Sequence, residues 1–267
     1  MKLGFIGAGN MAGALIRGTV QNGVLPPEQV FVYDIDSRKS GDIQKQLKVH
    51  SCESIEALIS ACDMLLLAVK PNVVSGILDA QRSALAGKAL ISIAAGWTVD
   101  MLRERLDDTT RLLRVMPNTP ALCGNGMAAF SLSHSLSIEE SAFAEKLFRA
   151  LGRQAWVPDD QMDAVTGLSG SSPAYAYLFI EALADGGVYC GLTRPQALEM
   201  AAQTLKGAAE MVLETGLHPG ALKDMVCSPH GTTIAGVHAL EEKGFRGAVM
   251  DAVIAGFEKS REMSKSS

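Results

Sequence analysis

The chain opens on an apolar run, Leu3-Gly4-Phe5-Ile6, that breaks into Gly7-Ala8-Gly9-Asn10-Met11-Ala12 and then into helical periodicity from Met11 to Val20. A strand, a glycine-rich turn and a helix in that order constrain the fold more than any other feature. Gly7 allows the tight turn, Gly9 lets a backbone approach a pyrophosphate, and Ala12 permits close packing of helix on strand. The helix N-terminus then faces the negative charge. A glycine pattern alone is a weak signal, but the strand before it and the helix after it make it specific. Ile6, Gly7, Ala8, Gly9, Asn10, Met11 and Ala12 are therefore the expected dinucleotide loop.

The same alternation continues. Val30 to Tyr33, Met64 to Val69, Leu90 to Ala94, Leu112 to Met116, Met127 to Ser131 and Gln154 to Val157 read as strands. Helical stretches lie between them, with Ser54 and Thr98 as caps and Ile138 to Leu151 as a further helix. The pattern predicts an α/β fold with a doubly wound, mainly parallel, Rossmann-like sheet. It changes near Pro158. Residues 1–158 are expected to form the dinucleotide-binding domain and residues 159–267 an all-helical domain. Ser172-Pro173 reads as a cap with proline at the first helical position, opening a helix from Ala174 to Tyr189. Helices from Arg194 to Glu214, Ile234 to Glu242 and Phe245 to Met263 follow. The Ala174–Tyr189 helix is apolar on nearly every face, which predicts burial against a second subunit.

Composition narrows the partners. The chain has 267 residues, 48% of them hydrophobic, and a net charge of −5. That charge leaves no basic footprint for nucleic acid. No apolar run approaches the roughly 20 residues of a membrane span. Met1-Lys2 leads straight into a strand with no signal-peptide pattern. Five cysteines without CxxC spacing read as reduced thiols, Cys227 as a small filler, and the location as cytoplasmic. No Cys/His cluster has metal-ligand spacing.

Ligands in open α/β sheets lie beyond the carboxyl ends of strands. Asp34, at the end of the second strand, is placed to accept hydrogen bonds from the ribose hydroxyls, which favours NADH. Ser37, Arg38 and Lys39 follow directly and offer the alternative, a 2′-phosphate site for NADPH. Ala68-Val69-Lys70-Pro71, Ala94-Ala95-Gly96 and Asn118, within Met116-Pro117-Asn118-Thr119-Pro120, should line the nicotinamide side. Asn118 suits the carboxamide. In the second half, His218 to Thr233 reads as a hairpin of two short elements rich in Gly, Pro, Ser and Thr. Backbone N–H groups flanked by hydroxyls suit a small carboxylate. Gly167 to Pro173 reads as a polar loop.

These segments, FIGAGNMA, AVKP, AAG, RVMPNTPA, GLSGSSPAY, HPGALKDMV, SPHGTT and LEEKGFR, resemble the pyrroline-5-carboxylate reductases along essentially the whole chain. The last three are the most specific. The resemblance implies an NAD(P)H-binding domain and a helical domain that interlocks with another subunit's to form a homodimer or a multiple of dimers. It implies hydride transfer to the imine carbon of 1-pyrroline-5-carboxylate, a cyclic imino acid, giving proline. It carries substrate contacts over to Ser228, Gly231, Thr232 and Thr233, with Thr233 and Ser228 as the catalytic positions. It also implies that glycine is common where this chain has His230. A protonated cyclic imine is already a good hydride acceptor, so no general base is needed, and none is evident.

Two other readings compete. The β-hydroxyacid dehydrogenases share a glycine loop and a helical second domain but use a Lys on a long helix, and Ala174 to Tyr189 contains none. A nucleotide-sensing protein without catalysis would not need the carboxylate loop.

Overall fold

Strands that are apolar at every position, with no alternation, belong in a sheet covered on both faces. The computed structural model, which describes residues 1–266, has that arrangement. The strands are β1 (Leu3–Ile6), β2 (Val30–Tyr33), β3 (His50–Ser51), β4 (Met64–Leu67), β5 (Ala89–Ser92), β6 (Arg111–Pro117), β7 (Gly126–Ser131) and β8 (Gly152–Val157). They form one sheet in the order β3-β2-β1-β4-β5-β6-β7-β8. All pairs are parallel except β6 with β7. Every residue of β1, β4 and β5 is buried.

The helices of this part are α1 (Asn10–Gln21), α2 (Ser37–Leu47), α3 (Ile55–Ala61), α4 (Pro71–Leu85), α5 (Val99–Arg105), α6 (Ile138–Arg149) and α7 (Met162–Val165). They divide the interior into two cores. Leu3, Phe5, Leu15, Val32, Leu66 and Phe148 pack on one face of the sheet. Ile6, Leu58, Leu65, Leu78, Trp97 and Leu102 pack on the other. Neighbouring residues of one strand go to opposite cores, as the period of two requires.

Register decides where ligands meet the sheet. Ile6 stands opposite both Tyr33 and Leu67, and Leu67 opposite Ser92. The glycine loop, the Asp34 turn, the Ala68–Pro71 loop and the Ala94–Gly96 loop therefore leave from one edge. The strand order reverses between β1 and β4, so a crevice opens there.

The expected polar loop at Gly167–Pro173 is helical instead. Thr166–Gly170 forms a π-helical turn, in which the Ser171 N–H donates to the Thr166 carbonyl at 2.8 Å. It continues directly into α8 (Ser172–Tyr189). The chain then forms α9 (Arg194–Thr215), α10 (Pro219–Val226), α11 (Thr232–Glu242) and α12 (Phe245–Ser266). Gly216 ends α9 in the left-handed conformation, φ 66°.

Two compact units result. Among the described residues, one comprises 1–171 and 255–266, the other Ser172–Ile254. The second unit packs around Ala184, Ala197 and Ala201, where α8 meets α9. Gly187 keeps that approach close, since a Cβ there would lie 3.1 Å from the Ala197 Cβ. Little else in this unit is buried. Tyr177, Leu178, Leu183 and Tyr189 of α8 stay exposed, as do Met200, Met211 and Leu213 of α9 and Val249, Met250 and Ile254 of α12. Within this unit, Ala184 is the residue of the apolar helix that is fully buried.

Candidate functional site

At the crevice, each glycine has a distinct reason. Gly7 sits at φ 106°, and a Cβ there would lie 2.5 Å from the Ala68 carbonyl oxygen. Its N–H donates to the Tyr33 carbonyl at 2.7 Å, which locks the turn onto β2. Gly9 has an ordinary backbone and caps α1 without a side chain. A Cβ there would meet no protein atom within 4 Å, so the space over the loop is kept open on the solvent side. No acidic residue stands in the first turn of α1. The N–H groups of Asn10, Met11 and Ala12 have no intrahelical acceptor. Ala12 is fully buried and lets α1 lie close on the sheet. An open cradle at an uncapped helix N-terminus fits a dinucleotide pyrophosphate.

Asp34 has a task that the sequence reading did not foresee. Its Oδ2 accepts from the Ala8 N–H at 2.7 Å and its Oδ1 from the Asp36 N–H at 2.9 Å. The carboxylate ties the glycine loop to the turn after β2. Asp36, also missed, caps α2. It accepts from the Arg38 backbone N–H at 3.2 Å and from the Arg38 guanidinium at 2.9 and 3.0 Å. The guanidinium holds the Asp36 carboxyl below its ordinary range. An Asp directly before a helical segment, with Arg two residues on, is a capping signal that could have found it. Ser37, Arg38 and Lys39 are exposed in the first turn of α2.

The Ala68 N–H donates to the Ile6 carbonyl at 2.8 Å, Val69 is half-buried, and Lys70 is exposed as the cap of α4, with Pro71 first in the helix. The Pro71 carbonyl accepts from the Trp97 indole at 3.0 Å, joining this loop to the next. There Ala94 is buried, Ala95 half-buried and Gly96 left-handed at φ 76°. Asn118 is not free to grip a carboxamide with both ends. Its Oδ1 accepts from the Met127 N–H at 2.8 Å, and its Nδ2 donates to the Ser169 carbonyl at 3.2 Å. The side chain braces β6 against β7 and the π-turn. Among the described residues no group of three or more His, Cys, Asp or Glu side chains converges.

The expected hairpin in the second unit is a helix, a turn and a helix. Cys227, half-buried, ends α10. Ser228 to Gly231 is a β-turn closed by the Gly231 N–H on the Ser228 carbonyl at 3.0 Å. Pro229 stands second and His230 third, with φ 58°. A positive φ at the third position marks a type II turn and favours glycine. His230 therefore occupies a glycine conformation. A Cβ on Gly231 would overlap the Ser228 Oγ. Gly231 caps α11, so the helix begins at Thr232, two residues before Ile234.

Thr232 and Thr233 are thus the first two helical residues, both exposed. Their N–H groups and that of Ile234 lack intrahelical acceptors. The Ala235 N–H, bonded to the Gly231 carbonyl at 3.3 Å, is the first with one. Neither a side-chain cap nor an acidic residue quenches this end. Ser228, Thr232 and Thr233 show no side-chain hydrogen bond among the described residues. The fold brings these groups within one turn and half a helical turn, an arrangement suited to a small carboxylate.

The chain is similar to known proteins along its whole length. Residues 159–263 match the family described as "Pyrroline-5-carboxylate reductase dimerisation", and residues 2–96 match "NADP oxidoreductase coenzyme F420-dependent". The chain is similar to pyrroline-5-carboxylate reductase of Escherichia coli K12, 44% identical with 99% of each chain covered. It is similar to that of Arabidopsis thaliana, 46% identical over 99% of this chain and 96% of the other. The Plasmodium falciparum pyrroline carboxylate reductase crystal structure, with NADP bound, superposes with a TM-score of 0.90 at 34% identity, covering 99% of this chain and 98% of that one. Likeness of this degree over the full length, with the glycine cradle and the α11 turn both in place, makes the chain a member of the pyrroline-5-carboxylate reductase family.

Proposed function

We infer that the chain uses NADH or NADPH to reduce 1-pyrroline-5-carboxylate to proline, the last step of proline synthesis. The observation that carries this reading is the open N-terminus of α11, with free N–H groups and the hydroxyls of Ser228, Thr232 and Thr233 around it.

When bound, the reduced nicotinamide supplies the hydride that the imine carbon accepts. The chain's own task is to orient. In this proposal the N–H groups of Thr232, Thr233 and Ile234 clamp the substrate carboxylate. The Thr233 hydroxyl accepts from the protonated ring nitrogen, which keeps its proton and leaves as an amine. Ser228, buttressed by Gly231, supplies a further hydroxyl. Ile6 to Ala12 hold the pyrophosphate, Asp34 lies toward the ribose, and Ala68 to Pro71, Ala94 to Gly96 and Asn118 line the nicotinamide side. Residues 1–158 serve the cofactor and 159–267 the substrate and dimerisation.

No helix among the described residues is long and apolar enough to cross a membrane. The family match at residues 159–263 supports a homo-oligomer. A homodimer, or a multiple of it, follows as the finer proposal, because the exposed apolar side chains of the second unit need a cover. Unpaired thiols support a cytoplasmic setting.

The test uses the purified full-length protein. Oxidation of NADH or NADPH is followed with pyrroline-5-carboxylate, and reduction of NAD or NADP with a 3-hydroxy acid. Turnover in the first assay alone supports the reading. Folded protein that binds NADH yet oxidises none with this substrate refutes it. Light scattering on the same sample should give at least a dimer, and a fully active monomer would contradict the oligomer proposal.

A further inference from the structure

The residue whose position first suggests a ribose reader, Asp34, accepts a backbone N–H at each carboxylate oxygen, from Ala8 at Oδ2 and from Asp36 at Oδ1. Ala8 is buried, so that N–H has no solvent to fall back on. Asp34 is thus a strut for the glycine loop. The next carboxylate, Asp36, stands two residues further along the same turn. It caps α2 and receives the Arg38 side chain through two parallel bonds, Nε to Oδ1 at 2.9 Å and Nη2 to Oδ2 at 3.0 Å.

We propose that Asp36, through its grip on Arg38, is the residue that sets the choice between NADH and NADPH, while Asp34 serves both cofactors alike. This rests on the dinucleotide reading above and refines it.

The argument is one of charge and occupancy. The 2′-phosphate of NADPH is a doubly charged group with strong acceptor oxygens, and it needs cationic donors at the end of β2. The chain has those donors in Arg38 and Lys39 at the start of α2, where the helix dipole adds to them. Asp36 already holds the cap position and the guanidinium fork. A phosphate entering this turn would compete with a carboxylate for both, and would sit beside that carboxylate once Arg38 was drawn away. A cofactor with a free 2′-hydroxyl meets no such competitor. The Arg38 side chain is 86% exposed and Asp36 29%, so the pair is an open clasp at the surface and removing it leaves the core intact.

Substitution separates the two carboxylates. Asp36→Ser keeps a capping oxygen for the Arg38 N–H, removes the charge and frees the guanidinium. Binding of NADH and NADPH is measured directly by titration, without substrate. For Asp36→Ser the ratio of the two dissociation constants should shift toward NADPH by about tenfold or more, with NADH affinity kept within roughly threefold. Asp36→Asn, nearly isosteric and also a capping residue, should shift it the same way. Adding Arg38→Ala to Asp36→Ser should return the ratio toward that of the parent. Asp34→Ser should weaken both cofactors to a similar degree. An unchanged ratio in both Asp36 variants, in protein that still binds NADH, overturns this proposal and leaves the reductase reading intact. A ratio that moves in Asp34→Ser but not in Asp36→Ser also overturns it. A parent protein that binds neither dinucleotide overturns both.

Discussion

Removing the Thr233 hydroxyl separates a substrate contact from a helix-forming role. Thr233 is the second residue of α11 and exposed, and Gly231 is the cap. The cost of about 1 kcal/mol that follows loss of a capping threonine does not apply. Alanine has the higher helix propensity, so Thr233→Ala should lose no stability and gain at most about 0.7 kcal/mol. For a chain of this size that is a Tm change of roughly 0 to +3 °C. If the hydroxyl accepts from the protonated ring nitrogen, its loss removes one charge-assisted hydrogen bond. That is worth about 1–3 kcal/mol of transition-state stabilisation, or roughly 5- to 150-fold in kcat/KM. Thr233→Val removes the same group while keeping the branched shape, and should fall by a similar factor. Thr233→Ser keeps the hydroxyl and should stay within about threefold of the parent. Steady-state kinetics at saturating NADH, thermal melts and NADH titration make the set complete. Parent-like kcat/KM in Thr233→Ala would refute the substrate role. A lower Tm with unchanged kinetics would mean that the residue holds the helix instead.

Two more perturbations test the local physics. His230→Gly relieves a side chain held at φ 58°. The left-handed conformation costs an L-residue about 1–2 kcal/mol, and the added chain entropy of glycine takes back about 0.5–1, so a net gain near 0.5–1 kcal/mol is expected in urea unfolding. A β-branched His230→Val should lose stability, and identical midpoints for all three proteins would contradict the strained turn. Glu140 is held below its ordinary value of 4.5, first by the Arg111 side chain, which bonds both carboxylate oxygens at 2.8–3.0 Å. A carboxylate with a depressed folded pKa contributes stability that is whole above the unfolded value and is lost as pH falls through the folded one. Glu140→Gln should therefore be less stable than the parent at neutral pH, with the gap closing on the acid side of 4.5. A gap independent of pH would deny the ion pair its role.

Near-continuous apolar runs such as Leu3–Ile6 and Met64–Leu67 announced strands covered on both faces. Gly7 and Gly9 announced the turn, and Ser54 and Thr98 the caps of α3 and α5, because each answers a need of its own few residues. The α11 loop was legible in composition but not in form. Gly231 begins the helix at Thr232 because the Ser228–Gly231 turn delivers the chain there, although two β-branched threonines argue locally for a later start. The π-turn at Thr166–Gly170 has the residues of a loop, and its widened bonding leaves no periodic trace. Other features depend on partners distant along the chain. Asp34 meets Ala8 because β1 and β2 pair with Ile6 opposite Tyr33. Asn118 meets Ser169 across 51 residues of sequence. Residue type tells what a side chain can bond to. Strand register and helix packing choose the group that arrives within 3 Å of it, and those follow from the burial of apolar faces far from the site.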